Sequence, residues 1–328
     1  MALPTFTPSY PNQILGTGDT LALAIAQFTG VVESTIERRS KAAPFVDVRP
    51  VRGTTTITNE GIGKSTLQVV TPGNTPDGTS QNQASRINLT VDTLILARTN
   101  VPLLDSFQNN YSYQTYVGQE HGKEIAKFYD NAFFIQAAKA AALSASAYGA
   151  LPGHTGGTTI TLAAAGDAVD PAALYSALSD LFAQMEGKDV DPVADGVMVA
   201  LRPGPYYVLL DAEQIVNGEY TTAAGNVVNG VKVLKAFGVP VVSSNNVPAT
   251  NITGHLLSNT RNSNAYDGDF TKLVAVAFAP NALLAGETIA LTPAVWYSEE
   301  KKVWFIDAHL SFGVTPNRAE YAGRIMKP

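Results

Sequence analysis

The sequence has no cysteine, only four histidines and two tryptophans, and a low charged fraction of 15%. Without cysteine there is no disulfide scaffold, no thiol nucleophile, no zinc ribbon and no iron–sulfur cluster. The histidines, His121, His154, His255 and His309, stand far apart with no ligand-like spacing, which speaks against a histidine-based metal site. There is no long hydrophobic run. The most apolar N-terminal stretch, Leu21–Phe28, falls far short of the ~20 residues a bilayer span needs. The first eleven residues hold three prolines and no basic residue, so they do not read as a signal peptide, and the protein is expected to stay in the cytosol of the cell that makes it. Basic excess is missing too. The formal net charge is −6, whereas a dedicated nucleic-acid reader carries a basic surface.

What is present is enough for a real core. The 328 residues are 45% hydrophobic and 9% aromatic, which suits roughly two domains at the usual ~100–200 residues each. The charge is uneven. Residues 151–260 carry ten acidic and four basic groups, so the whole excess of six sits there, while the other sections balance. A section with its own surface character fits a separate domain.

Residues 1–18 read as an extended arm, with Pro4, Pro8 and Pro11 followed by Gly16 and Gly18; Asp19 or Thr20 then caps a helix through Leu21–Thr29. Thr54–Thr58 and Ser65–Val70 are rich in β-branched residues, and INLTVDTLIL (Ile87–Leu96) reads as one strand. Between them, TPGNTPDGTSQNQAS (Thr71–Ser85) has no apolar side chain beyond two prolines and an alanine, so it cannot build a core of its own. The pattern is a long β-excursion with a mobile tip. Ser112 to Ala147 is the clearest helix: Tyr113, Val117, His121, Ile125, Phe128, Ala132 and Ile135 recur every three or four residues and share one face. At 1.5 Å per residue it would be about 54 Å long. His121 falls on that apolar face and reads as a buried, hydrogen-bonded histidine. Further on, Asp170-Pro171 opens a helix to Met185, Val197–Leu201 and Leu273–Phe278 are short buried strands, Asp211–Ile215 starts a short helix, and Val231–Val242 is broken by Gly238. A long hairpin closes the chain: Ile289–Tyr297, a charged turn Ser298–Lys302, then Val303–Val314. There Asp307, His309 and Ser311 alternate with Ile306, Ala308, Leu310 and Phe312, a period of two that predicts one wet and one dry face.

The search for chemistry returns nothing. GIGKST (Gly61–Thr66) resembles a phosphate loop, but Thr58 stands where the first glycine is required, and β-type residues follow where a helix is needed; a glycine turn between two strands is the better reading. Asp189, Asp191 and Asp195, and the Asp267–Asp269 pair, lack calcium-loop spacing and read as solvated loop acids. No G-x-S-x-G is present. No catalytic, cofactor-binding or metal-ligating residue and no cofactor is implied, although an enzyme whose site is assembled only in space stays open. Arg38, Arg39 and Lys41 form a small basic spot beside Glu33 and Glu37 that suits a solvated surface or a contact between subunits rather than nucleic acid.

Several stretches taken in order resemble the tailed-bacteriophage major capsid proteins, closest to the short-tailed phage branch. They are FTGVVESTI (Phe28–Ile36) with Arg38, Arg39 and Lys41; INLTVDTLILA (Ile87–Ala97) with VPLLD (Val101–Asp105) and Tyr113; GKEIAKFYD (Gly122–Asp130); GVKV (Gly230–Val233) and GVPVVSSNN (Gly238–Asn246) with Pro248; and PNRAEYA (Pro316–Ala322). The resemblance implies an α+β fold with an N-arm and short helix (1–43), an extended loop (44–91), a peripheral domain (92–165) holding a spine helix at 112–147, an axial domain (166–286), and a return hairpin and tail (287–328). It implies hexamers and pentamers of the chain itself, tiled into an icosahedral shell around double-stranded DNA that is touched non-specifically. The implied partners are a portal protein, a separate scaffolding protein and a decoration protein, with no membrane, and the implied place is the virion capsid, assembled in the bacterial cytoplasm. An encapsulin-like compartment shell shares the fold and stays open as an alternative. Some relatives fasten the extended loop by an isopeptide bond from a lysine. Lys64 is the one lysine between Lys41 and Lys123, but Gly61 and Gly63 are expected to leave the tip loose. Non-covalent contacts are therefore expected: strand pairing along Thr54–Thr58 and Ser65–Val70, and salt bridges of Lys64 and Arg86.

Overall fold

The computed structural model describes residues 40–65, 67, 69–75, 83–103, 113–210 and 234–328. The expected N-arm helix, Arg38 and Arg39, GVKV and the short helix at Asp211–Ile215 lie outside these residues. The chain divides into two compact units. The first contains Leu94–Lys127 and Ile289–Ser311; the second contains Lys41–Thr93, Phe128–Thr288 and Phe312–Pro328.

The described elements, in chain order, are β1 (Val48–Pro50), β2 (Thr56–Ile62), β3 (Ala84–Thr90), β4 (Ile95–Pro102), α1 (Tyr113–Ala142), β5 (Thr158–Thr161), α2 (Pro171–Glu186), β6 (Met198–Leu201), α3 (Pro203–Leu210), β7 (Leu234–Ala236), β8 (Val239–Ser243), β9 (Asn251–Ile252), β10 (Gly268–Asp269), β11 (Leu273–Phe278), β12 (Leu283–Ser298), β13 (Val303–Pro316) and β14 (Ala322–Met326). Helices and largely antiparallel sheets in separate stretches make this an α+β fold, as the sequence predicts.

The core of the second unit is a six-stranded sheet in the order β5-β14-β11-β6-β8-β7. β6 and β11 are buried along their whole length. α2 lays Leu174, Leu178, Leu181 and Met185 into the same apolar cluster as Val199, Leu201, Val241 and Ile325. Its start is as read from the sequence: Pro171 occupies the first turn, and the Asp170 carboxylate accepts the amide of Ala172 at 3.2 Å. β7 and β8 are joined by Phe237 (φ 54°) and Gly238 (φ 82°), both left-handed, which matches the tight two-residue hairpin turn.

α1 is 30 residues long and stops at Ala142, five residues short of the expected Ala147. The strand entering β5 takes over its last carbonyls. The Gly157 amide donates to Leu143 O (2.8 Å), and Thr159 Oγ1 donates to Ala141 O (3.0 Å). A Cβ on Gly157 would lie 2.4 Å from Ala140 O, so only glycine allows this approach. The one-face reading holds in the first half, where Val117, His121 and Ile125 are buried, but residues 132–138 are buried all round. Asp130 is fully buried, and its carboxylate accepts the amides of Lys41 and Ala42 and the Asn246 side chain, each at 3.0 Å.

In the first unit, β4 pairs antiparallel with β13, from Val303↔Pro102 to Leu310↔Ile95. Val101, Val117, Val295 and Ile306 form its core. His121 is buried and shares a 2.8 Å hydrogen bond with Thr99 through Nε2, as the sequence suggests. The expected wet face of β13 is not wet: Asp307 and Ser311 are buried. Arg98, the register partner of Asp307, grips its carboxylate with two 2.7 Å bonds, and Trp296 Nε1 donates to it at 3.3 Å. Burial pushes the Asp307 carboxyl up, but these donors outweigh it and hold the group below its usual range.

Ile87–Leu96 is two strands, not one. β3 pairs with β2 and β4 with β13, and the break at 91–94 is held by Asn259, whose Nδ2 donates to both Asp92 oxygens at 3.0 Å. The loop acids stand at the surface as expected, and two of them also act as local caps. Asp191 accepts the amides of Val193 and Ala194, while Asp267 accepts Ser258 Oγ and the amides of Gly254 and His255, which hold its carboxyl down at about 2. A depressed carboxyl stabilises the fold above its unfolded value of ~3.9 and loses that contribution as pH falls towards the folded one. The melting temperature is therefore expected to drop between about pH 4 and 2, and Asp267→Asn should flatten that drop in a calorimetric pH series; an unchanged slope would show that Asp267 is not involved.

Candidate assembly interface

β2 and β3 form a separate two-stranded ribbon in register from Thr56↔Thr90 to Ile62↔Ala84. At its base Ile57 and Leu89 pack with Val51, Val91 and Leu284. Gly286 makes room, since a Cβ there would meet Ile57 at 2.8 Å. Beyond Ile62 the pairing continues through Gly63 N to Gln83 O (2.7 Å), and Lys64 N turns to Pro152 O (2.7 Å).

The expected strand at Ser65–Val70 is not formed by the residues described there, and the partner of β2 is Ala84–Thr90 instead. Leu67 and Val69 are left 99% and 98% exposed, with Ile62 and Val70 also open. Exposed aliphatic side chains grouped on a segment with no core of its own make this segment the candidate interface.

The glycines do not loosen the ribbon as expected. A Cβ on Gly61 would lie 2.8 Å from the Tyr148 ring, and one on Gly63 3.2 Å from Pro152, so both permit close packing onto the loop that follows α1. Around them runs a polar network that the sequence did not reveal. Asn59 Nδ2 donates to Tyr148 Oη (2.7 Å) and to Asn317 Oδ1 (2.9 Å), Tyr148 Oη donates to Asn317 Oδ1 (2.5 Å), and His154 Nε2 meets Ile62 O at 3.1 Å. The residues lie up to 258 positions apart, and no local spacing signals them. Only PNRAEYA, singled out as a tail motif, pointed to Asn317.

Of the five expected contact residues, Arg38 and Arg39 lie outside the described residues. Lys41 is exposed, and its backbone is fastened to Asp130. Lys64 and Arg86 share the ribbon. Lys64 Nζ is 3.7 Å from Asp189, and both side chains are largely exposed; Arg86 stands opposite Glu60 in register. An exposed pair such as Lys64–Asp189 is worth only ~0–1 kcal/mol. No helix follows GIGKST in the described residues, as a phosphate loop requires. Among the described residues no group of three or more His, Asp or Glu could hold a metal ion, and no helix is long and apolar enough to cross a membrane.

A family model described as Gp10A-like major capsid protein matches residues 61–290. That is well over half of the chain, and the chain belongs to this family. Among solved structures, the chain is similar to the capsid of the cyanophage P-SCSP1u (21% identity, 87% of this chain and 86% of that chain, TM-score 0.74). It is also similar to the mature capsid of bacteriophage PhiM1 (21% identity, 85% and 84%, TM-score 0.70) and to a virus-like particle from Pyrococcus furiosus (9% identity, 92% and 98%, TM-score 0.54). At these identities the likeness establishes the fold. No curated protein sequence matches the chain. Family and fold together make this a capsid shell protein of the tailed-phage type, with a structural role.

Proposed function

We propose that the chain assembles as hexamers and pentamers into an icosahedral shell around double-stranded DNA, and that the ribbon is its extended loop reaching a neighbouring copy. The observation that carries this reading is the fully exposed Leu67 and Val69 on a segment with no core beneath it. In this reading residues 1–43 are the N-arm, 44–91 the extended loop, 92–165 the peripheral domain with α1 as its spine, 166–286 the axial domain, and 287–328 the return hairpin and tail. A portal protein, a scaffolding protein and a decoration protein complete the particle. The shell forms in the bacterial cytoplasm and catalyses no reaction. An encapsulin-like role shares the fold, but the match to a phage capsid family favours DNA as the content.

A net charge of −6 repels packaged DNA, so contact with it is weak and non-specific. Arg38, Arg39 and Lys41 therefore meet acidic groups of a neighbour. Reversing these three charges is expected to cut the yield of particles severely; particles formed in normal yield without nuclease-protected DNA would assign the three side chains to phosphate instead.

Lys64 and Arg86 hold the loop by non-covalent contacts. An isopeptide bond needs a desolvated, unprotonated lysine, and the Lys64 side chain is 72% exposed beside Asp189. Boiled mature particles should run as a single band at 34.6 kDa on a denaturing gel. A ladder that vanishes in Lys64→Ala would contradict this.

A further inference from the structure

Three segments of the second unit meet where the ribbon ends: Ile62 at the end of β2, the loop Tyr148–His154 after α1, and the tail at Asn317–Glu320. His154 sits between the other two. Its Nε2 is 3.1 Å from Ile62 O. A carbonyl oxygen only accepts, so Nε2 carries the hydrogen, and in a neutral ring Nδ1 is then a bare acceptor. That Nδ1 faces Glu320 Oε1 at 3.6 Å, and both side chains are more than nine-tenths buried. Neither His154 Nδ1 nor Glu320 Oε2 has a hydrogen-bond partner among the described residues. Two lone-pair groups facing each other away from water repel. One proton on Nδ1 turns the same geometry into a charge-assisted pair, with the imidazolium donating to Ile62 O on one side and to Glu320 on the other.

We propose that His154 and Glu320 form a proton-dependent latch that positions the extended loop against the tail of its own subunit. The naming of the ribbon as that loop rests on the shell reading above; the latch itself does not. The neighbouring groups are compatible with it. On the tail, Arg318 Nε donates to the same Glu320 oxygen at 2.8 Å and spreads over the Tyr321 ring, but its side chain is 37% exposed, so water screens part of its charge. At the end of α2, Lys188 feels the Glu320 charge, yet its hydrogens are spent on Gly156 O, Gly157 O and Thr158 Oγ1. The Tyr148 ring lies 5.3 Å from the imidazole, and its hydroxyl is committed to Asn317. Arg49 acts on Tyr148 and Asp195 on Tyr321 from further out, and the Lys64–Asp189 pair is solvated. His154 Nδ1 thus faces Oε1 beside the Arg318 bond, and Oε2 of the same carboxylate has no donor among the described residues.

The test is hydrogen exchange of the purified protein across the range in which histidine ordinarily takes up a proton, pH 8 to pH 6 being about that range. The readout is the amides of Gly63 and Lys64, which bond to Gln83 O and Pro152 O, corrected for the intrinsic pH dependence of exchange. Sedimentation at each pH records the assembly state, so a failure to form shells is read separately. Protection is expected to rise about tenfold from pH 8 to pH 6, as one charge-assisted hydrogen bond supplies. His154→Gln and Glu320→Gln should both remove that rise. A flat profile in the natural protein would overturn the latch without any variant, as would an undiminished rise in His154→Gln.

Discussion

Aspartate at both Leu67 and Val69 is expected to abolish shell formation while leaving the subunit folded. The two side chains touch almost nothing in their own chain, so the substitution removes little from the folded subunit; surface changes of this kind usually shift stability by less than ~0.5 kcal/mol. Covered by a neighbour, each contributes about 1.5–3 kcal/mol of burial, and a buried carboxylate would reverse the sign. The loss recurs at every copy around the shell. Sedimentation should show free subunits or small oligomers, with the circular dichroism spectrum and melting temperature of the parent. Normal shells from the double variant would mean that this segment faces solvent in the particle, and the loop would then have to be held by its ribbon alone.

Asp130→Ala is expected to cost the subunit about 3–5 kcal/mol, because it leaves several buried donors unpaired at about 1–3 kcal/mol each. Its carboxylate is fully buried on α1 and takes the amides of Lys41 and Ala42 together with the Asn246 side chain. Without it two backbone donors lose their acceptor, and the chain at Lys41–Ala42 is no longer tied to the helix. Denaturant unfolding should show the loss, and proteolysis near Lys41 should become faster. Asp130→Asn keeps the volume and one acceptor oxygen, so it should fall between the two. A change below ~1 kcal/mol in the alanine variant would place the anchor of this segment elsewhere.

Both effects rest on features of different legibility. The middle of α1, the Asp170-Pro171 start of α2, the buried strands β6 and β11 and the closing hairpin are local patterns, and the sequence displays them through period, cap and turn residues. The charged turn before Val303 even contains the left-handed Lys302 (φ 52°) that closes it. α3 has no clear local signal, because Pro203 and Pro205 disfavour a helix interior, yet both fall in its first turn, where proline is tolerated. The split between β3 and β4 also escaped, because INLTVDTLIL alternates without a local break, and the residue that secures the break, Asn259, is 167 positions from Asp92. Asp307 looked wet because its neutralising partner, Arg98, is 209 positions away. The candidate interface was half legible. A coreless polar stretch flanked by β-residues marks the loop and the strand after it, but the β-branched residues of Ser65–Val70 form no strand among the described residues. The network of Asn59, Tyr148, His154, Asn317 and Glu320 has no sequence period at all. Such polar clusters are built by tertiary contact, and the only trace they left was the tail motif PNRAEYA.

The central claim is that this chain builds a closed shell from copies of itself. Electron micrographs of the purified, expressed protein at high concentration and moderate salt, with sedimentation on the same sample, test it most directly. The account predicts shells, or free hexamers and pentamers; a monodisperse monomer under these conditions would contradict it.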